Sequence, residues 1–175
     1  MENLANTTNT LLSIGTLFIQ IVSVLLLVMI FTKDKGPLAK WFSDKSLVLV
    51  FLTMGGSMVA SLFYSEVIGY KPCLLCWYQR ISIYSITIIS LVAITKKTGQ
   101  DVWKYISTLS IIGLVVAVLH VLSRFTKSEI FDCSASGPSC LQELFTKFGY
   151  IDIPVMSLTA LAFILLLIVN RKRFN

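Results

Sequence analysis

Residues 11–32 read LLSIGTLFIQIVSVLLLVMIFT, a run of 22 positions that contains no charged side chain. An α-helix of this length spans the roughly 30 Å hydrocarbon core of a bilayer, since each residue adds about 1.5 Å. The run lacks a basic stretch before it and is followed by Lys33 and Lys35, the opposite of the flanks of a cleavable signal peptide. The pattern therefore predicts a retained membrane helix.

Four further apolar segments follow, at residues 46–64, 77–95, 105–123 and 154–170. The composition agrees, since 55% of the 175 residues are hydrophobic, only 14% are charged and the mean hydropathy is +0.81. We therefore expect an all-α integral membrane protein, with a four-helix transmembrane bundle as its core and one extra N-terminal transmembrane helix. The predicted units are residues 1–45, the extra helix with an inner loop, and residues 46–175, the four-helix domain with outer cysteine loops at 65–80 and 125–153.

The basic residues predict the orientation of these helices. With the N-terminus outside, ten of the fifteen Lys and Arg residues fall on inner loops or on an inner C-terminal tail, and five fall outside. The positive-inside rule favours this arrangement over its inverse. The net charge of +6 is thereby explained without nucleic acid, which we do not expect as a partner. Both cysteine pairs then lie outside.

The four cysteines form a close pair, Cys73 and Cys76, and a second pair, Cys133 and Cys140. The first pair is a Cys-x-x-Cys motif at the predicted outer start of a spanning helix. Unpaired N–H groups and the helix dipole favour a thiolate there, and Arg80, one turn beyond Cys76, adds positive charge. Cys76 is therefore the better candidate for a reactive thiolate.

Two further side chains are candidates for binding a polar group near the membrane surface. Arg80 lies inside an apolar run, where a charge is costly enough to indicate a function, and snorkelling to the interface is the alternative. His120 is the only histidine and lies four residues before Arg124, so we expect it near the depth of Arg80 on an antiparallel helix. Its alternative role is a structural hydrogen bond.

The loop at 125–153 carries the second cysteine pair and a possible helix. Ser139 and Gln142 fit a capping box, and the residues that follow place apolar side chains at helical spacing. We expect a short amphipathic helix near 140–149 on the outer surface.

Several roles of the cysteines remain open on these residues. Two inert disulfides would make the protein a static scaffold or transporter, but a two-residue Cys-x-x-Cys loop gains little stability from chain entropy. A four-thiolate metal site is disfavoured by the loose six-residue spacing of Cys133 and Cys140, and we expect no metal. Thiol exchange is favoured, because a relay needs one exposed pair for a soluble partner and one pair beside a lipid-soluble electron acceptor. A thiol enzyme working in the reducing direction has the same architecture.

The run from Cys73 through Leu-Leu-Cys76-Trp-Tyr-Gln to Arg80, the second outer pair and the four later helices resemble the DsbB-type disulfide bond formation proteins of bacterial membranes, including the BdbC-like branch. The resemblance implies a protein-dithiol:quinone oxidoreductase of the bacterial plasma membrane. Such an enzyme reoxidises a DsbA-like thioredoxin-fold thiol oxidase on the outer side. It passes the electrons to a membrane quinone, either ubiquinone or menaquinone.

The resemblance also implies a role for each candidate residue. Cys133 forms the mixed disulfide with the partner, and Cys140 then exchanges with Cys73. Cys76 engages the quinone, with Arg80 beside it and His120 lining the quinone site. The spacing of the second pair is shorter than in the best-known proteobacterial members, and the first helix is additional to the four-helix core, with no role implied.

Overall fold

The computed structural model describes residues 2–33, 35–96, 101–127 and 138–174, and these ranges are almost entirely helical. The six helices are α1 (Glu2–Phe31), α2 (Pro37–Asp44), α3 (Ser46–Glu66), α4 (Leu74–Lys96), α5 (Val102–Thr126) and α6 (Ile153–Lys172). All but α2 are long and apolar enough to cross a membrane. The prediction of an all-α bundle with five spanning helices is confirmed.

The helices pack in chain order around α6. Helix α3 lies against α4, α4 against α5 and α5 against α6, while α6 also contacts α1, α2 and α3. Gly113 permits the close approach of α5 to α4, because a Cβ added there would lie 2.8 Å from the Cβ of Ser82. The side chains that point away from the bundle are large and apolar, as lipid contact requires; on α1 they include Phe18, Ile21 and Val24.

Helix α1 packs on α6 through polar side chains. Its buried face carries Asn9, Ser13 and Thr16. One turn further along, Gln20 donates to the hydroxyl of Thr159 at 3.1 Å and accepts from the hydroxyl of Tyr150 at 2.7 Å. Lys147 donates to the side-chain oxygen of Asn6 at 2.6 Å. Polar contacts are effective between helices in lipid, so these bonds hold α1 on the bundle.

The end of the bundle at which α4 and α6 begin is defined by a helix cap. Asp152 is the N-cap of α6, and its carboxylate accepts a hydrogen bond from the backbone N–H of Val155 at 2.9 Å. Pro154 lies in the first turn, where a missing N–H costs nothing. Helix α5 ends at the same height, at the left-handed residue Lys127.

The predicted amphipathic helix near 140–149 is wrong. Residues 138–152 form turns and an isolated bridge between Lys147 and Ile151. The Ser139 hydroxyl accepts from the N–H of Leu141, two residues on, which closes a turn rather than a capping box. Phe148 and Gly149 then adopt positive φ angles of 52° and 82°, which a right-handed helix cannot contain.

Candidate active site

The two cysteines of the Cys-x-x-Cys motif meet at the first turn of α4. Cys73 directly precedes the helix and its carbonyl accepts from the N–H of Trp77, so it is part of the helix start. Both cysteines are free thiols, and their Sγ atoms are 3.1 Å apart. This separation allows a hydrogen bond between the thiols and requires little movement for them to form a disulfide.

His120 reaches the same thiols from α5. Its Nε2 atom is 3.8 Å from Cys73 Sγ, and its Nδ1 atom is 3.1 Å from the side-chain nitrogen of Gln79. The Ser157 hydroxyl donates to Gln79 Oε1, which leaves the amide N–H₂ of Gln79 to donate to Nδ1. The neutral ring then carries its proton on Nε2 and donates it to Cys73. His120, Gln79 and Ser157 therefore form one hydrogen-bonded chain ending at a thiol.

These donors lower the pKa of Cys73 well below its usual range. The hydrogen bond with the Cys76 thiol is the largest cause, and the hydrogen bond and charge of His120 add to it, while burial opposes the shift. The sequence argument assigned the thiolate to Cys76, whereas in this geometry the stabilising donors act on Cys73. The contact of His120 with Cys73 from across the helix pair is one that the sequence does not give.

The same three side chains could also hold a soft metal ion. Cys73, Cys76 and His120 bring ligand atoms within 4.8 Å of one another, and thiolate and imidazole are the ligands that zinc prefers. The expectation that the protein uses no metal stays a prediction.

The loop at 138–152 places Cys140 beside the first pair. Cys140 is buried, packs with Cys73 and Leu75, and is itself disulfide-bonded. It lines a small pocket together with Cys73 and Cys76. Cys133 lies outside the described residues. Of the predicted exchange partners, the structure therefore brings Cys140 to the Cys-x-x-Cys motif.

Arg124 links this loop to the end of α5 through ion pairs and a hydrogen bond. Its guanidinium is 3.0 Å from a carboxylate oxygen of Asp152 and 3.2 Å from one of Glu143, and it donates to the carbonyl of Gln142 at 3.0 Å. The side chains of Arg124 and Asp152 are only 11% and 12% exposed, so their ion pair is poorly screened by water. Sequence reasoning missed Asp152, although its position just before Ile153 and Pro154 is a recognisable N-cap signal.

A second, larger cavity lies on the other side of the first turns of α4. It has a volume of about 310 Å³ and is bounded by α1, α3, α4 and α6, with Cys76 and Arg80 in its wall. Arg80 is oriented by α3, since it donates to the hydroxyl of Ser61 at 2.8 Å and to the Ser61 carbonyl at 3.0 Å. The guanidinium also lies 5.2 Å from the centre of the Trp77 ring.

Tyr64, which the sequence pattern did not single out, also lines this cavity. Its side chain lines the cavity and is buried, and its hydroxyl has no hydrogen-bond partner among the described residues. The ring stacks on Tyr70, with 5.6 Å between the ring centres. A buried hydroxyl without a partner is costly, which makes it a candidate for a ligand contact.

The structure separates two residues that the sequence argument placed together. Arg80 lines the large cavity and bonds to α3, whereas His120 lines the small pocket and bonds across to α4. Gln79 lies between them, since it lines the large cavity and bonds to His120. Arg80 and His120 therefore line different cavities, and Cys76 lies in the wall of both.

Comparison with known proteins identifies the family of this chain. The sequence model of the family described as disulfide bond formation protein DsbB matches residues 43–170. The chain belongs to the DsbB family. Its match covers α3 to α6 and both cysteine pairs and leaves α1 outside. The sequence resemblance is thereby confirmed.

Relatives of this DsbB-family chain carry matching names. It is 41% identical over 133 residues to the SPbeta prophage-derived disulfide bond formation protein B of Bacillus subtilis strain 168, covering 74% of this chain and 88% of the relative. It is 36% identical over 130 residues to a probable disulfide formation protein of Metapseudomonas resinovorans, covering 73% and 90%. It is 38% identical over 114 residues to disulfide bond formation protein C of the same Bacillus strain, covering 64% and 80%. No solved structure matches the chain.

Proposed function

We propose that this protein is a membrane protein-dithiol:quinone oxidoreductase that generates disulfides for a thioredoxin-fold thiol oxidase of the DsbA type. One observation carries the proposal: Cys76 lines both the small pocket that contains Cys140 and the large apolar cavity. A single pair of thiols therefore borders a protein-disulfide site on one side and a site for a lipid-soluble acceptor on the other.

The thiol steps are inferred from the resemblance, which assigns the mixed disulfide to Cys133, and from the contact of Cys140 with Cys73. The reduced partner attacks the second pair through a mixed disulfide at Cys133, and the partner leaves oxidised with Cys133 and Cys140 as thiols. Cys140, which packs against Cys73, then attacks a Cys73–Cys76 disulfide at Cys73 and releases Cys76 as a thiolate. Cys133 resolves the new bond, so that the second pair is again a disulfide and the first pair holds the two electrons.

The large cavity fits a quinone. Most of its lining is apolar, and Cys76, Gln79 and Arg80 follow one another on the first turns of α4 in its wall. The unpartnered hydroxyl of Tyr64 and the guanidinium of Arg80 are donors, which quinone oxygens require. When bound there, a quinone would supply an acceptor for two electrons and two protons as Cys73 and Cys76 return to the disulfide.

The residues around Cys73 support the exchange half of the cycle. His120 donates to Cys73, which favours the thiolate form and makes Cys73 a better leaving group when Cys133 attacks the Cys73–Cys140 bond at Cys140. Arg124 holds the Cys140 loop in contact with the motif through Asp152 and Glu143. Positioning two sulfur atoms in this way supplies the proximity that a bimolecular exchange lacks.

We propose that both cysteine pairs lie on the outer side of the bacterial plasma membrane and that the C-terminus is cytoplasmic. The positive-inside count supports this orientation, and the ends of α4 and α6 that carry the thiol pocket lie at one face of the bundle. A membrane-impermeant thiol reagent applied to intact, reduced cells should label these cysteines. Labelling that requires permeabilised cells would reverse the orientation.

Quinone reduction by the purified protein tests the function. The protein is supplied with a reduced thioredoxin-fold partner and with either ubiquinone or menaquinone, and the absorbance of the quinone is followed. Turnover that is lost in both Cys76→Ser and Cys133→Ser would support the relay, provided that the variants unfold at the wild-type temperature. No turnover with either quinone would contradict the proposal and favour the scaffold or the reducing enzyme.

A further inference from the structure

The large cavity extends well beyond the thiols. Its lining on α3 runs from Tyr64 to Leu52, and these positions are about 18 Å apart along a helix at about 1.5 Å per residue. The charged group of Arg80 lies toward the Tyr64 end, since it bonds to Ser61, and the hydroxyls of Thr16 and Ser57 further along are bonded within their own helices. A quinone ring needs only that end, so the deeper part is available to something long and apolar.

The deeper walls come from two helices that face each other across a gap. Helix α1 packs on α6, and α3 packs on α4 and α6, with the cavity between α1 and α3. The wall contributed by α1 consists of Leu12, Gly15, Thr16 and Ile19. This helix lies outside the family match at 43–170, so a segment additional to the family core completes the cavity.

Glycine residues leave space in both walls of the cavity. Gly15 on α1 and Gly56 on α3 line the cavity, and a Cβ added at either would have no heavy atom within 4 Å. Neither glycine is therefore required for helix packing, in contrast to Gly113, where an added Cβ would meet Ser82 at 2.8 Å. What Gly15 and Gly56 leave is open space in an apolar slot.

We propose that this slot, lined by α1 and α3, binds the isoprenoid tail of the quinone whose ring lies beside Cys76, so that α1 is part of the quinone site. The inference rests on the proposed quinone function. Cys76 and Arg80 support it independently of the glycines, since they place the reacting thiol and a hydrogen-bond donor in the wall of the same cavity. A lipid acyl chain has the same chemistry as the tail, and the experiment distinguishes the two.

The test fills the slot with larger side chains and leaves the cysteines and Arg80 unchanged. Gly15→Leu adds a side chain where the cavity is open, and Gly15→Ala is the milder variant. Ile14→Phe is the matched control, because Ile14 neighbours Gly15 on α1 but is exposed to lipid. Thermal unfolding in detergent verifies that each variant is folded. The variants are assayed with a quinone that carries a long isoprenoid tail and with the same ring lacking a tail.

The proposal expects Gly15→Leu to raise the KM for the tailed quinone about tenfold, the effect of losing the burial of about two methylene groups, and to leave the tailless quinone unchanged. Ile14→Phe should change neither. An equal change for both quinones, or no change for either, would overturn the slot while leaving the quinone function intact. Failure of the wild-type protein to reduce either quinone would instead overturn the function.

A binding measurement complements the kinetics. In nanodiscs, a quinone with a photoreactive group on its tail should label the α1 peptide that contains Gly15, and excess tailed quinone should suppress the labelling. A photoreactive phospholipid serves as the second probe. Labelling of α1 by the phospholipid that excess quinone does not displace would assign the slot to an acyl chain and overturn the proposal.

Discussion

The two sides of the first turns of α4 differ in size and polarity, and Cys76 lies in the wall of both. On the side of α5 lies a small pocket of donors and acceptors, in which His120 and Arg124 surround Cys73 and Cys140. On the side of α1 and α3 lies a cavity whose walls are mostly apolar. The comparison shows how one Cys-x-x-Cys motif can serve two chemistries, because Cys76 borders both spaces while Cys73 borders the polar one.

The largest effect is expected from removing Cys76, the thiol that borders both cavities. In Cys76→Ser, quinone reduction should fall to background, because the first pair can no longer form a disulfide. Cys73 should still be able to trap Cys140, since the two residues remain packed together. Non-reducing gels and mass spectrometry would detect this bond. Cys73→Ser is the matched variant and should lose both quinone reduction and the trapped bond; a trapped bond in that variant would contradict the assignment.

The polar side can be weakened separately through Arg124. Arg124→Gln leaves Asp152 poorly exposed and without its guanidinium, which should destabilise the protein by about 3 kcal/mol and loosen the Cys140 loop. The expected results are a lower unfolding temperature and faster exchange at Cys140. Lys127→Gln is the control, because Lys127 is an exposed basic residue at the end of the same helix. Equal effects of the two variants would argue against a specific role for Arg124.

The role of the large apolar cavity can be tested through Tyr64. Tyr64→Phe removes a hydroxyl that has no partner among the described residues and keeps the ring that stacks on Tyr70. If the hydroxyl bonds to the quinone ring, its loss costs about 1 kcal/mol, or about a fivefold rise in KM. Tailed and tailless quinones should be affected alike, in contrast to Gly15→Leu. The companion variant Tyr70→Phe should behave as wild type, and an unchanged KM in Tyr64→Phe would exclude the contact.

The smallest effect is expected in the pH dependence of Cys73. Because its pKa is lowered, chiefly by the Cys76 thiol and then by His120, Cys73 stays a thiolate as the pH falls below the range of an ordinary thiol. Its alkylation by iodoacetamide, followed by mass spectrometry, should therefore change little between pH 8 and pH 6. In His120→Ala the pKa rises, so the rate at pH 6 should drop. Thr108→Ala, exposed on the same helix, should not alter the profile.

The sequence predicts one side of this comparison better than the other. Apolar runs give the five spans, and the Cys-x-x-Cys motif at a helix start places Arg80 one turn inward, as the structure shows. The contacts of His120 depend on the rotation of α5 about its axis, which an almost uniformly apolar helix does not encode. Tyr64 was missed for the same reason. The helix predicted near 140–149 does not form, because Arg124 and two left-handed residues impose turns on an amphipathic pattern.

The polar face of α1 has a consequence for the order in which the protein is assembled. Its contact with α6 joins residues far apart in the chain; the bond from Gln20 to Thr159 spans 139 positions. During synthesis α1 leaves the ribosome well before α6, and until then the Gln20 amide lacks the Thr159 hydroxyl to which it donates. A polar face in lipid invites other partners, so α1 is the segment most exposed to mispairing or chaperone contact during insertion. The bundle closes only when α6 enters the membrane.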